Sequence, residues 1–408
     1  MHPGYKLSQL SWCKLLINLT AKHFRFSLFA MKFIHTADWQ IGKSFKSFGD
    51  KESLLQHARL NAIEGIGRLA ISENIRHVLV AGDVYDSEAP SQKTLLEPLE
   101  RMRNFPTVIW HIISGNHDPH RGNGIWDRAR ALGIPTNVHL HLEQEPAELD
   151  DTAVLLPAPM RRKSEASDIS EWMNDASTAS GLIRIGLAHG SVVGFGVGGE
   201  ANNPIAIDRA QLAGLDYLAL GDWHRTMKVG PQTWYSGTHE ADRFDSQEIG
   251  QVLLVEIAGP GIAPIVLARR TGSYCWVTAN EEIRDISELE GLETRLRALP
   301  NLSEVVIKLN IAGSLPIAGR AELDRRISGV EAATFYLNSN LNGLHIRPTL
   351  SDLESIDFGG VLREAAETLR VTLEDENNTL EVRKIAEHAL VELYLMTITE
   401  QEVTRISK

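Results

Sequence analysis

The sequence predicts an α/β fold that carries a small separate module and C-terminal helices. From Met31 onward, short apolar runs that end in polar clusters alternate with longer segments of helical spacing, which is typical of an α/β core. After Gly230 the apolar runs follow one another closely and are separated by Gly and Pro, as strands of a sheet are. With 408 residues, of which 43% are hydrophobic, the chain can bury one large core and a second smaller one.

The core elements are predicted from these apolar runs and from the segments between them. Five runs are predicted to be strands, near Lys32–Thr36, His77–Ala81, Thr107–Ser114, Leu182–Ala188 and Asp216–Leu220. The spacing of Leu, Ile and Ala predicts helices over Glu52–Asn74 and Ser91–Asn104. A proline inside a helix removes a hydrogen bond, so we expect Pro98 to kink or shorten the second helix.

The segments after Gly230 predict a second sheet. The runs TWYSG, QVLLVEI, PIVLARR and YCWVTA are predicted to be antiparallel strands that close the domain near residue 280. Beyond it, SEVVIKLNI and GLHIRPTL flank a helical stretch, Ala318–Ala333, in a β-α-β pattern. Helical periodicity returns over Val361–Leu373 and Thr379–Thr397, and the last helix is long and amphipathic.

The predicted domains are therefore residues 31–280, a module over 281–355 and C-terminal helices over 356–408. Residues 1–30 are predicted to be an unstructured leader with Met31 as the true start. They contain several Lys and Arg, and no acid precedes Asp38. Their longest apolar stretch, LLINLTA, is too short to span a membrane, and a membrane-anchoring or export role is the alternative.

The composition limits the class of function. A net charge of −12 and a pI near 5.7 exclude a protein that holds nucleic acid by overall positive charge, so any polyanion must be held locally. The two cysteines, Cys13 and Cys275, give neither a disulfide framework nor a C-x-x-C metal motif. This cysteine usage suits a reducing compartment, and we expect a cytoplasmic protein with no membrane partner.

Polar residues follow five of the apolar runs, in the stretches HTADWQIG, AGDVYD, SGNHD, GLAHG and LALGDWHR. The carboxyl ends of the strands of an open α/β sheet converge on one crevice, so these side chains are expected to share a site. Carboxylate, amide and imidazole donors without cysteine suit divalent Mn, Mg or Fe. Two such ions about 3.5 to 4 Å apart activate a bridging water and neutralise a phosphoester, so the set predicts phosphoester hydrolysis.

Each motif taken singly also has an ordinary structural explanation. An Asp at a strand end commonly caps the next helix, Asn before His commonly serves a turn, and most single histidines are structural. It is the appearance of all five motifs, each at a strand end, that favours a metal site.

The order D-x-(H/Q), GDxxD, GNHD, H and G-x-x-H resembles that of the calcineurin-like metallophosphoesterases. Within them, HTADWQIGK, GDVYDSEAPS and GNHD are most similar to the SbcD-type DNA-repair exonuclease subunits. The resemblance covers about residues 31–280 and continues more weakly through the β-α-β module, which is similar to a capping domain. It implies a two-sheet sandwich flanked by helices, and a metal-dependent phosphodiesterase that acts on DNA as an exonuclease or endonuclease in repair.

The same resemblance implies a role for each site residue. Asp83 would bridge two metal ions, of which Mn²⁺ is favoured and Mg²⁺ and Fe²⁺ are alternatives. Six further residues would complete the two ligand sets: Asp38, Gln40 and His224 at the first ion, and Asn116, His189 and Asp222 at the second. His117 would act near the leaving oxygen as a general acid or hydrogen-bond donor, with Asp86 accepting its other N–H. Asp118 is expected to be structural.

Two of these ligands depart from the commonest family pattern. Gln40 stands where D-x-H has histidine, and it is a neutral and weaker donor, so the first metal is expected to bind less tightly. Asp222 stands where the final H-x-H motif has its first histidine, which gives three ionised ligands instead of two and favours a harder ion. A degraded site retained only for binding is the alternative.

The substrate is less clearly marked than the metal site. Single-stranded DNA or duplex ends are the expected substrate, with cationic and aromatic residues at the rim as candidate contacts: Lys43, Phe45, Lys46, Phe48, Arg121, Arg225 and Arg243. A small-molecule phosphodiesterase or phosphatase is the alternative, and a partner-binding assembly subunit is a third class. The resemblance implies an SbcC-type coiled-coil ATPase as partner, with Thr379–Thr397 as a docking helix or as an internally packed one. A homodimer is left open.

Overall fold

The computed structural model describes residues 30–194, 202–244, 249–347 and 360–406, with side chains described as far as Tyr394. These residues form two compact units that meet in the sequence between Trp276 and Val277. Apart from Ala30, the predicted leader lies outside the described residues, and so does the predicted boundary near residue 355.

Among its described residues, the N-terminal unit contains fourteen strands, of which the last continues into the C-terminal unit. They are β1 (Met31–Thr36), β2 (His77–Val80), β3 (Ile109–Ile112), β4 (Val138–Leu140), β5 (Ala147–Asp150), β6 (Ala153–Ala158), β7 (Ile183–His189), β8 (Ser191–Val192), β9 (Pro204–Ile205), β10 (Tyr217–Gly221), β11 (Met227–Lys228), β12 (Thr233–Tyr235), β13 (Ile249–Ile257) and β14 (Ile265–Ile283). Its α-helices are α1 (Glu52–Ser72), α2 (Gln92–Arg103), α3 (Ile125–Leu132) and α4 (Arg209–Leu212), with 3-10 helices at Lys46–Lys51 and Glu171–Asn174.

Two main sheets form this unit, which confirms the predicted two-sheet α/β fold, and β8 and β9 pair as a separate two-stranded sheet. The first has the order β14-β13-β1-β2-β3-β4, and the second has the order β11-β12-β10-β7-β6-β5. Side chains alternate across each strand, so Phe33 packs into the core between the sheets while Ile34 faces the core under the helices. Leu155 and Leu187 of the second sheet join Phe33 in the layer between the sheets.

The prediction of a separate antiparallel sheet after Gly230 is wrong. β12 pairs in parallel with β10, while β13 and β14 pair antiparallel with each other and extend the first sheet beside β1. PIVLARR and YCWVTA lie in the single long strand β14. Apolar periodicity reveals that a segment is a strand, but it carries no information about the strand's pairing partner.

The helix α2 is not shortened by its proline. It begins after Ser91, whose hydroxyl accepts a hydrogen bond of 3.1 Å from the Thr94 N–H, and it runs through Pro98 to Arg103. Pro98 lies on the buried face with Leu95 and Leu99, and packing of this face offsets the missing hydrogen bond.

The C-terminal unit contains two strands joined by a helix, here called the β-α-β module, and two further helices. Its elements are α5 (Glu288–Arg297), a 3-10 helix (Leu302–Glu304), β15 (Val305–Leu315), α6 (Ile317–Glu331), β16 (Tyr336–Ile346), α7 (Val361–Glu374) and α8 (Leu380–Ile406). β15 and β16 pair in parallel, as a crossover through α6 requires. Ile317, Ala366 and Leu390 share one buried cluster, so α7 and α8 pack on the module. No helix within the described residues is long and apolar enough to cross a membrane.

A chain of three histidines crosses the first sheet on β2, β3 and the segment after β4. His77 Nδ1 lies 3.0 Å from His111 Nε2, and His111 Nδ1 lies 3.0 Å from His141 Nε2. His77 and His111 are buried, and burial lowers the pKa of His77 to about 4. A ring that stays neutral in the fold but takes a proton when unfolded makes stability depend on pH.

We expect acid to destabilise the protein partly through His77. Its pKa is lower in the fold than in the unfolded chain, so stability is lost as pH falls from about 6.5 towards about 4. At about pH 5 the His77 share is about 2 kcal/mol. Urea unfolding at about pH 7.5 and about pH 5 should show a smaller acid loss for His77→Gln than for wild type. The exposed His57→Gln is the control, and equal losses in all three proteins would contradict this expectation.

Candidate metal centre

The structure brings the five predicted strand ends together at one edge of the sandwich. They come from both sheets and not from one open sheet, because β1, β2 and β3 run in parallel in the first sheet and β7 and β10 run in parallel in the second. The residues that follow or end these strands are Asp38, Asp83, Asn116, His117, His189, Asp222 and His224. Among the described residues, Asp38, Asp83 and His189 offer ligand atoms within 4.8 Å of one another.

The turns after β1, β2 and β10 have left-handed backbone conformations. Asp38, Asp83 and Asp222 have φ values of 55°, 54° and 99°, and Gln40 has a φ of 41°. Such values cost about 1 to 3 kcal/mol at residues other than Gly and persist only where the surroundings impose them. Main-chain hydrogen bonds impose them here, from Asp38 N to Gly82 O (3.2 Å) and from Gln40 N to Asp83 O (2.8 Å).

Three glycines allow the turns to approach one another closely. A Cβ at Gly115 would lie 2.2 Å from Asp83 Oδ1, and a Cβ at Gly221 would lie 2.0 Å from Ala81 O. A Cβ at Gly82 would lie 2.6 Å from His189 Nδ1. These motif glycines are therefore required for the carboxylates and the imidazole to meet.

A buried arginine on α1 holds the first turn in place, and nothing in its sequence context marks it. Arg59 donates hydrogen bonds to the main-chain carbonyls of Asp38 (3.0 Å), Trp39 (2.8 Å from Nε) and Glu240 (2.9 Å). These carbonyl groups have no partner in a strand. The buried Arg59 guanidinium donates the hydrogen bonds that they would otherwise lack.

The acids are packed against one imidazole. His189 Nε2 lies 3.5 Å from Asp83 Oδ1 and 3.9 Å from Asp222 Oδ1, while the Asp222 N–H points at the Asp38 carboxylate at 3.1 Å. Burial raises the pKa of Asp38 to about 6. Burial lowers the pKa of His189, but the three carboxylates outweigh this effect and raise it to about 9. The three carboxylates therefore strongly favour a positive charge at the position of His189.

Two buried ligand atoms support a cation at this position. Asn116 Oδ1 and His189 Nε2 are both inaccessible and find no hydrogen-bond partner in the described part of the chain. His189 Nδ1 lies 2.8 Å from the carbonyl of Ala81 and donates there, so Nε2 is the nitrogen that would bind a metal ion in place of its proton. The unpaired Asn116 oxygen is costly in the interior, and a divalent cation would bind it and take the place of the proton on His189 Nε2. These residues fit a metal ion.

The residues predicted around the first ion are arranged differently. Gln40 Oε1 accepts a hydrogen bond of 3.0 Å from Lys43, and Gln40 Nε2 lies 3.3 Å from His224 Nε2. Lys43 also contacts Asp242 at 2.5 Å, and Asp242 lies 3.2 Å from His224 Nδ1. Asp242 was missed because it lies in a loop without a motif. It orients His224 as a carboxylate commonly orients a metal-binding imidazole.

The GNHD motif supplies one partly buried histidine, His117, and one structural aspartate, Asp118. His117 Nδ1 lies 2.9 Å from the main-chain carbonyl of Asp86, so this carbonyl takes the place of the carboxylate that was expected to accept the hydrogen bond. Asp118 is fully buried and accepts hydrogen bonds from the Gly115 N–H (2.6 Å) and the Tyr85 N–H (3.1 Å). Asp118 thus closes the loop that carries Asn116 and His117.

The rim differs from the expected set of DNA contacts. Phe45 is only 3% exposed and belongs to the protein interior, while the partly buried Phe48 packs its ring against Trp276 at 5.3 Å. Lys46 is exposed, whereas Arg121 is paired with Glu88.

One aromatic residue at the rim was overlooked. Trp223, which lies between Asp222 and His224, is 39% exposed. Its position inside the final motif was the available signal, because an exposed Trp beside ligand residues is a candidate stacking surface.

Gly115→Ala is expected to weaken metal binding, because the new methyl group would displace the Asp83 carboxylate. We expect the affinity for Mn²⁺, measured by isothermal titration calorimetry, to fall by about 10-fold or more. Gly122→Ala, on the same loop with open space at its Cβ position, is the matched control and should bind like wild type. Wild-type affinity in both variants would contradict the assignment of Asp83.

Known proteins share both the sequence pattern and the region that holds this centre. The sequence matches the calcineurin-like phosphoesterase family over residues 31–253. The SbcD subunit of the nuclease SbcCD from Bacillus subtilis (strain 168) is 24% identical over 329 residues, covering 67% of this chain and 82% of that protein. DNA double-strand break repair protein Mre11 of Methanosarcina acetivorans is 22% identical over 303 residues, covering 70% of this chain and 46% of the relative. The protein of the same name from Halobacterium salinarum is 23% identical over 305 residues, covering 72% of this chain and 73% of that protein.

The family match spans more than half of the chain and contains every strand end that contributes to the centre. The similarity to SbcD and Mre11 proteins agrees with the resemblance seen in the motifs. The chain belongs to the calcineurin-like phosphoesterase family.

Proposed function

We propose that the protein is a divalent-metal-dependent phosphodiesterase that cleaves DNA, with Mn²⁺ as the preferred ion. The observation that carries the proposal is the pair of buried, unpartnered atoms, Asn116 Oδ1 and His189 Nε2, beside the carboxylates of Asp38 and Asp83. Such a set of donors binds a hard cation and leaves one side open to a phosphate. A site that had lost its function would have no reason to keep these atoms unpaired in the interior.

Each side chain has a distinct task in the proposed reaction. Asp83, Asn116 and His189 would hold one cation, with Asp222 beside them. Asp38, Gln40 and His224 would hold the other cation. Bound divalent ions supply Lewis-acid stabilisation of phosphoryl oxygens and lower the pKa of water.

His117 would exchange a proton with the leaving oxygen. Because the Asp86 carbonyl is only an acceptor, His117 Nδ1 carries the hydrogen, and Nε2 is the nitrogen that faces the reaction.

DNA as the substrate is supported by the relatives and by the rim. Relatives named as an SbcCD nuclease subunit and as Mre11 repair proteins match two thirds or more of this chain. The exposed Trp223 beside the centre offers a face on which an unpaired base stacks. Since the net charge is −12, contacts of this kind must replace a general cationic surface.

The C-terminal helices are proposed to bind an SbcC-type coiled-coil ATPase. The relative from Bacillus subtilis is named as a subunit. Apolar side chains on α7 and α8 remain exposed although both helices pack on the module: Val361 is 81% exposed, Leu380 is 69% and Ile385 is 64%. Exposed apolar residues on a helix that is already packed on one side suit helix-in-groove binding.

Two alanine variants separate metal binding from chemistry. Asp83→Ala should lose both bound Mn²⁺ and hydrolysis of bis-p-nitrophenyl phosphate and single-stranded DNA. His117→Ala should keep its Mn²⁺ while its turnover falls by about 10²- to 10⁴-fold, because only the proton transfer is removed. The exposed His57→Ala is the control and should match wild type. A wild-type protein with bound Mn²⁺ that hydrolyses neither substrate would refute the proposal, and activity confined to mononucleotide esters would favour a small-molecule phosphodiesterase.

Trp223→Ala should weaken binding to single-stranded DNA by about 5- to 150-fold, which corresponds to loss of about one stacked base. Binding is measured by fluorescence anisotropy on the His117→Ala background to prevent cleavage. Hydrolysis of bis-p-nitrophenyl phosphate by Trp223→Ala should remain near the wild-type rate, because this substrate has no base. Ile262→Ala, an exposed residue near the opposite end of β10, is the control. Unchanged DNA binding by Trp223→Ala would remove this residue from the interface.

A further inference from the structure

The two halves of the metal centre differ in whether their ligand atoms already have partners. On one side, Asn116 Oδ1 and His189 Nε2 are buried without a partner in the described part of the chain. On the other side, His224 Nε2 lies 3.3 Å from Gln40 Nε2 and accepts a hydrogen from that amide. The same amide nitrogen lies 3.5 Å from Asp83 Oδ2. On the side of Gln40 and His224, the protein itself therefore supplies a hydrogen-bond partner to the ligand atom.

Lys43 fixes the orientation of the Gln40 amide. The Lys43 ammonium lies 3.0 Å from Gln40 Oε1 and 2.5 Å from the Asp242 carboxylate, whose side chain is fully buried. Because an ammonium only donates, the amide oxygen must face Lys43 and the amide NH₂ must face His224. Asp242 also lies 3.2 Å from His224 Nδ1, so one buried carboxylate anchors both ends of this network.

Binding of an ion to Gln40 and His224 would have a cost that binding to His189 does not have. The amide would have to leave Lys43 and turn its oxygen inward, and His224 would lose the hydrogen bond that it accepts. The positive charge of the ion would also be repelled by the nearby Lys43 ammonium, which Asp242 holds in place. No side chain has to turn at Asn116 and His189, because no described residue hydrogen-bonds to their ligand atoms, and the ion displaces only the proton of His189 Nε2.

We propose that this centre binds two divalent cations unequally: one tightly at Asp83, Asn116 and His189, and a second one weakly at Asp38, Gln40 and His224, where Lys43 latches the Gln40 amide in a non-binding orientation. Lys43 is thus a positioning residue that sets how much ion is needed to fill the second position. The biological role of this arrangement rests on the proposed function. Unequal binding of the two ions is itself measurable without a substrate.

Metal stoichiometry of the full-length protein tests the latch. Metal-free protein is titrated with Mn²⁺ alone by calorimetry, and the bound ions are counted by equilibrium dialysis with elemental analysis. We expect wild type to bind one ion tightly and a second at least about 10-fold more weakly. Lys43→Met should tighten the second ion by about 10-fold or more and leave the first nearly unchanged.

Two further variants separate the latch from general effects. Lys46→Met removes an exposed positive charge from the same segment and should behave like wild type. Gln40→His changes no formal charge but offers an imidazole that Lys43 cannot hold in the same way, so it too should tighten the second ion. This variant also tests the proposal if Lys43→Met does not fold.

Equal affinities for two ions in wild type, or a second ion unaffected by both Lys43→Met and Gln40→His, would overturn the inference. Equal binding accompanied by DNA cleavage would refute the latch and leave the proposed function intact. Unequal binding without any hydrolysis would support the latch and refute the proposed function.

Discussion

The crowding of carboxylates around one buried imidazole is the constraint on which the rest of the centre depends. Asp38, Asp83 and Asp222 approach His189 in an interior where like charges repel strongly. The protein already gains from positive charge at this point, since the pKa of His189 is raised to about 9. A divalent cation would supply that charge in place of the His189 proton and would also bind the unpaired Asn116 oxygen.

The surrounding fold is arranged to impose this crowding. Parallel strands from two sheets end at the same edge, and left-handed turns direct their aspartates inward. Gly82, Gly115 and Gly221 let these turns come within contact distance, and the buried Arg59 takes up the carbonyls that one turn leaves without partners. Strain in the backbone is thus offset by packing and hydrogen bonds outside the centre.

Much of this site could be predicted from the sequence, for a physical reason. The carboxyl ends of parallel strands converge, so the joint appearance of polar motifs at five strand ends made Asp38, Asp83 and His189 identifiable although none of them was distinctive singly. Arg59 and Asp242 were not, because one lies within an ordinary amphipathic helix and the other in a loop, and their partners are far away in sequence. The location of β12, β13 and β14 was likewise missed, since periodicity identifies strands but not their neighbours. Phe45 shows the same limit, because an aromatic residue near a motif packs inward as readily as it faces a ligand.

We infer that these side chains hold a cation at the edge of the sandwich where the strand ends meet. The most direct measurement is an anomalous diffraction map from a crystal of the protein grown with Mn²⁺. In this map we expect a strong manganese peak within bonding distance of His189 Nε2, Asn116 Oδ1 and the Asp83 carboxylate. A well-ordered centre with no anomalous peak among these three residues, at a Mn²⁺ concentration that supports activity of related enzymes, would contradict it.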